Sequence, residues 1–163
     1  MHTYLSKPPR ARALLLSMAL TFSFSAIALS QDRPPYLPDP KLTPGDTIAV
    51  TKEELCRVGQ TAIRDKVSIK VKSQVFDLYG IRADTPGSYN VDRLVPASLG
   101  GSNRIENLWP QPLSGEWGYL QKNRLERRLR KMVCAGEMEL KEAQEGIARD
   151  WVSAYKKYVG EAR

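Results

Sequence analysis

Residues 89–112 read YNVDRLVPASLGGSNRIENLWPQP, and this stretch decides the fold. Tyr89, Val91, Arg93 and Val95 alternate with Asn90, Asp92 and Leu94, which is the period of a strand, until Pro96 ends the run. Gly100 and Gly101 supply a hinge. A second short extended run, Asn107-Leu108-Trp109, is closed by Pro110 and Pro112. The expectation is two short strands around a long glycine-hinged loop. Asp92 lies at the end of the first strand and Asn107 at the start of the second.

Downstream the period changes. Trp117, Leu120, Leu125, Leu129, Met132 and Val133 recur at helical spacing up to Cys134, and Gly136 stands where a helix stop belongs. A last helix is expected over about 139–159, carrying Leu140, Ala143, Ile147, Trp151, Ala154, Tyr155 and Tyr158. Its aromatic residues, like Trp117, fit a packed core better than base-stacking platforms. The segment 122–131 sets Lys122, Arg124, Arg127, Arg128, Arg130 and Lys131 against a single acid, Glu126. Such a run is either a solvated face or a phosphate contact.

Upstream, residues 67–79 admit two periods. Thirteen residues without a breaker favour a helix, with Ser68 near its start, Gly80 as its stop, and Val67, Val71, Val75 and Leu78 on one face. Residues 81–88 read as a loop. Thr51-Lys52-Glu53-Glu54 fits a capping box that opens a short helix running toward Val58, ended by Gly59. Residues 31–46, with five prolines, read as an extended leader or linker. The fold class is therefore α+β: two short antiparallel strands with a helix, and further helices flanking them.

The N-terminus has the build of a cleaved signal peptide, with an N-terminal membrane anchor as the alternative reading. Lys7, Arg10 and Arg12 precede an apolar run from Leu14 to Leu29, and Ala28 and Ser30 place the cut after Ser30. The expected organisation is a signal peptide over 1–30, a proline-rich leader over 31–50 and a domain over 51–163, in a periplasmic or secreted protein. Removing three cations and no acid lowers the formal charge from +7 to +4, a mildly basic balance compatible with an anionic partner. It also removes His2, the only histidine, so imidazole is excluded as acid, base or metal ligand. Cys56 and Cys134, the only cysteines, favour a disulfide over a metal pair in an oxidising compartment, with two separate buried thiols as the alternative.

The spacing through Asp92, Pro96, Gly100, Gly101, Asn107 and Leu108 resembles that of the HNH, or ββα-metal, endonucleases. The likeness covers residues 51–159 and is similar to a group of small, often exported bacterial proteins. Cys56, Gly59, Thr61, Ile63 and Arg64 carry it ahead of the site. After the site it runs through the NLWPQP segment, Lys122-Leu125-Glu126, Val133-Cys134-Gly136, and Ala143-Gln144 with Ile147, Ala148 and Trp151. The resemblance implies phosphodiester hydrolysis, which needs an activated water and a divalent cation such as Mg²⁺ or Mn²⁺. Asp92 would be the metal ligand, and Asn107 would orient the loop.

Arg93 departs from the pattern, because the family has its general-base histidine there. A guanidinium stays protonated and cannot do that work, and loss of a general base costs roughly 10²–10⁴ in rate. Gly118 is a second departure, standing where relatives carry a polar residue that completes the metal shell. Three functions follow as expectations. One is a catalytically impaired nuclease relative that still binds DNA or RNA, through Lys122, Arg124, Arg127, Arg128 and Lys131, with Arg93 gripping a phosphate or neutralising Asp92. Another is an active metal-dependent endonuclease with a different base, Glu116 being the candidate. The third is a non-catalytic envelope interaction module.

Overall fold

The computed structural model describes residues 34–57, 66–82 and 88–162. The proposed signal segment and the anchors Gly59, Thr61, Ile63 and Arg64 lie outside them. The described residues form an α+β domain with four α-helices and one two-stranded antiparallel sheet.

Helix α1 spans Lys52–Cys56 and opens with the expected capping box: the Glu54 amide donates to Thr51 Oγ1 at 3.2 Å, and the Thr51 amide donates to Glu54 Oε2 at 2.7 Å. Helix α2, Ile69–Leu78, starts at the Ser68 cap and gives way at Gly80, which takes the left-handed conformation (φ 62°). Its helical face is narrower than the sequence implied. Val75 is fully buried, whereas Leu78, expected on the same face, is 49% exposed.

Strand β1, Tyr89–Arg93, pairs with β2, Leu108–Pro112, in a register that sets Asp92 opposite Trp109 and Arg93 opposite Leu108. The second strand therefore runs through both prolines that were expected to close it. Pro110 and Pro112 share the parity of Leu108, whose carbonyl turns away from β1 to accept from Thr43 Oγ1 at 2.8 Å. Prolines on that side of an edge strand have no ladder hydrogen bond to lose. On one face of the ribbon Val91 and Leu108 pack with Val75 of α2. On the other, Trp109 joins the main core.

That core is built by helices α3, Tyr119–Ala135, and α4, Leu140–Tyr158, closing on the loop between the strands. Leu125, Leu129 and Val133 of α3 meet Ile147, Trp151 and Tyr155 of α4. Trp117 stands edge-on to Trp151 and Tyr155, with ring centroids 5.9 and 5.6 Å away, so these aromatics are core. Leu120, assigned to the inner face by spacing, is exposed instead. Helix α4 is broken at Asp150, whose backbone is extended and whose Oδ1 accepts from the amides of Val152 and Ser153. This is an N-cap inside what reads as one continuous helix.

Over its described residues the proline-rich segment forms no helix or ladder strand; it folds through turns at 35–36 and 40–42 rather than running extended, and it is docked. Trp151 Nε1 donates to the Tyr36 carbonyl at 2.7 Å, Thr43 is buried, and the Gly45 amide donates to the Glu106 carbonyl at 3.0 Å. Cys56 and Cys134 form a disulfide that fastens α1 to the end of α3. Arg130 Nη2 adds a bond to the Leu55 carbonyl at the same junction. Among the described residues no helix is long and apolar enough to cross a membrane.

Candidate functional site

The strand-to-strand loop is held from inside by one amide. Asn107 is fully buried; its Nδ2 donates to the carbonyls of Val95 and Ser102, both at 2.9 Å. Its Oδ1 accepts from the Val95 amide at 2.9 Å and, more weakly, from the Asp46 amide at 3.4 Å. A carboxylate could not donate the first pair and an apolar residue could make none of them. The two glycines serve the same closure. Gly100 turns the chain in the left-handed region (φ 79°), and a Cβ on Gly101 would lie 1.7 Å from the Val95 carbonyl oxygen. Asn107 thus braces the loop that follows Asp92.

Asp92 points to the α3 side of the ribbon, and there it meets a lysine. Lys122 is fully buried, and its Nζ donates to Asp92 Oδ2 at 2.9 Å, to the Arg93 carbonyl at 2.6 Å and to Glu126 Oε1 at 2.5 Å. The three N–H bonds of the ammonium meet three oxygens, so its donor capacity is filled. Burial alone would favour the neutral amine, but Asp92 and Glu126 outweigh it and hold the Lys122 pKa above its ordinary value. For Glu126, burial and the charge of Asp92 push the carboxyl upward against the pull of Lys122, and its pKa is raised. With all three groups ionised the cluster carries one net negative charge.

Several expectations are corrected here. Lys122 is not part of a nucleic-acid surface, because its side chain has no solvent exposure. Helical phase explains why: residue 122 falls on the stripe of Leu125, Leu129 and Val133, one turn before Glu126. Glu126, passed over as the lone acid in a basic run, is a member of the cluster. Its i,i+4 spacing from Lys122 on that apolar stripe is the signal that could have found it. The cation on Asp92 Oδ2 is thus the Lys122 ammonium, the part the sequence offered to Arg93. Strand alternation carries the Arg93 side chain to the opposite face, where its Nε donates to Asn103 Oδ1 at 2.8 Å. Glu116 is exposed on the turn ahead of α3, beside a hollow lined by Pro35, Tyr36 and Pro112. The second carboxylate on the Lys122 ammonium is Glu126. Gly118 caps α3, and a Cβ there would sit 3.1 Å from the Ser114 carbonyl oxygen.

No family model, curated protein or solved structure matches the chain.

Four of the remaining cations form a surface, Arg130 being half-buried against Leu55. Arg124, Arg127, Arg128 and Lys131 are all exposed, and their i, i+3, i+4, i+7 spacing puts them on one face of α3. Arg128 Nε also donates to the Tyr158 carbonyl at 3.3 Å, which ties part of this face to the end of α4. The same helix therefore presents Lys122 and Glu126 inward to Asp92 and a row of cations outward.

The oxygens a hard divalent cation would use are present: the carboxylates of Asp92 and Glu126 and the carbonyl of Arg93. They do not fit a metal in this arrangement, because Lys122 Nζ already stands within hydrogen-bond distance of all three.

Proposed function

We propose that the chain is an exported HNH-like ββα protein that binds nucleic acid along α3 and hydrolyses it weakly or not at all. The observation that carries this reading is the exposed row Arg124, Arg127, Arg128 and Lys131, four cations on one helical face. A phosphate backbone meets such a row without base reading, and each phosphate neutralised releases a counterion. The order strand, glycine loop, strand, helix supports the HNH-like reading, as do Asp92 at the end of β1 and Asn107 behind the loop.

The loss of hydrolysis rests on two residues. Arg93 occupies the general-base position and cannot deprotonate water at neutral pH. Lys122 supplies one positive charge where hydrolysis calls for two, so the carboxylate pair keeps a net negative charge that repels a scissile phosphate.

The test is retention of labelled single- and double-stranded DNA and RNA across a salt series, beside plasmid nicking in Mg²⁺ or Mn²⁺. Retention should fall steeply with salt. Neutralising Arg124, Arg127, Arg128 and Lys131 to glutamine should flatten the log–log slope by up to about 3–4 units, at roughly 0.9 per lost contact. Robust nicking abolished by Asp92→Ala would overturn the loss of hydrolysis. Absence of retention even at low salt would overturn the binding and favour an envelope interaction module.

A further inference from the structure

We propose that the Lys122 ammonium is the permanent cation of this site, occupying the place of a divalent metal and making the protein indifferent to metal. The geometry that carries this is the convergence of three oxygens on one buried nitrogen. Asp92 Oδ2 comes from the end of β1, the Arg93 carbonyl from the next peptide and Glu126 Oε1 from the helix, and they stand 2.9, 2.6 and 2.5 Å from Nζ. Two carboxylates and a carbonyl are hard oxygen donors of the kind that hold Mg²⁺, Mn²⁺ or Ca²⁺ at about 2.0–2.6 Å. A divalent ion at that distance from the same three oxygens would coincide with Nζ. Ammonium and metal are therefore mutually exclusive occupants.

Exchange in favour of the metal is resisted for a covalent reason. Lys122 is tethered one turn from Glu126 on a helix whose neighbouring residues Leu125 and Leu129 are sealed in the core. Its effective concentration at the oxygens is that of an intramolecular group, which a dissolved ion must overcome. Leaving also has a cost. Lys122 is flanked on this face of α3 by the buried Leu125 and Leu129, and its side chain has no solvent exposure, so a displaced ammonium must first be brought out to water. This inference stands apart from nucleic-acid binding, since it concerns the cation alone and is read without DNA or RNA.

Mn²⁺ is the probe, titrated into the disulfide-bonded mature chain and followed by calorimetry and thermal melts. Wild type should show no heat of binding and no shift in Tm at millimolar Mn²⁺. Lys122→Ala removes the resident cation and frees all three oxygens, so Mn²⁺ should now raise Tm by several degrees, and adding Asp92→Asn should erase that rise. If Lys122→Ala folds only when Mn²⁺ is present, the proposal is supported in its strongest form, because metal and ammonium then substitute for each other. Two results would overturn it. One is Mn²⁺ binding by wild type that Asp92→Asn removes. The other is a folded Lys122→Ala variant that binds no Mn²⁺. Should that variant stay unfolded with and without metal, Lys122→Met, unbranched, uncharged and without a donor, takes its place with the same two readings.

Discussion

Lys122 Nζ lies 2.9 Å from Asp92 Oδ2, an ion pair that joins the end of β1 to the first turn of α3 across thirty positions of sequence. It couples the residue with the most suggestive position in the chain to a side chain that has no contact with solvent. Glu126 completes the pair's surroundings from one helical turn further on.

Removal of Lys122 should be among the most damaging single changes. Lys122→Met strands two carboxylates around an apolar side chain, and breaking a buried pair on one side costs about 3–5 kcal/mol. Adding Asp92→Asn and Glu126→Gln to the same chain should recover most of that loss, because no uncompensated charge remains. Urea unfolding of the single and triple variants checks both expectations; equal stabilities would show the cluster to be solvated.

Stability should also report the two raised pKa values. A group whose folded pKa exceeds its unfolded value contributes stability that is full below the unfolded pKa and is lost as pH rises through the folded one. For Glu126 that loss begins above its ordinary value of 4.5, and for Lys122 above 10.5. Wild type minus Glu126→Gln stability should therefore decline from about pH 4.5 toward neutrality, measured by thermal melts in matched buffers. A second decline, above pH 10.5, should be missing from Lys122→Met.

The loop closure can be broken at either of two points. Gly101→Ala drives a methyl to within 1.7 Å of the Val95 carbonyl oxygen, which the backbone must relieve, and about 3 kcal/mol or more should be lost. Asn107→Ala leaves the Val95 amide and the carbonyls of Val95 and Ser102 without this partner, at about 1–3 kcal/mol for each group left unpaired. Hydrogen exchange should localise the damage in both variants to residues 94–107 before global unfolding. Uniform loss of protection would speak against a local clamp.

The disulfide closes a loop of 78 positions between α1 and α3. On the chain-entropy model its removal in a Cys56→Ser, Cys134→Ser variant costs roughly 4 kcal/mol. Denaturant melts of the wild type with and without reductant should differ by the same amount. A negligible difference would mean that the reduced chain holds α1 in place unaided.

Local signals were the legible ones. The Thr51–Glu54 capping box, the helix start near Ser68 and the stops at Gly80 and Gly136 each depend on neighbours within a few residues, and each formed as read, whereas the strand expected to run to Val95 ends at Arg93. Pro110 and Pro112 misled, because whether a proline ends a strand depends on which side its nitrogen faces. That is a property of the pairing register, not of the residue. Asp150 was missed because its cap lies between two segments that share one apolar period. The docking of residues 34–50 was not legible because composition reports the lack of regular structure but not where the backbone finds its partners.

By itself, the sequence determined the order strand, glycine loop, strand, helix and the absence of histidine beyond His2. These follow from residue type and short spacing. Only the tertiary structure decided what Asp92 faces. Six cations lie between residues 122 and 131, and nothing in their chemistry separates one from another. Helical phase turns Lys122 inward with Leu125 and Leu129 and leaves Arg124, Arg127, Arg128 and Lys131 outside. The antiparallel register then brings Asp92 over the buried one. A charge becomes a surface or a counter-ion according to which side of the helix the core covers, and that is fixed by packing across the chain.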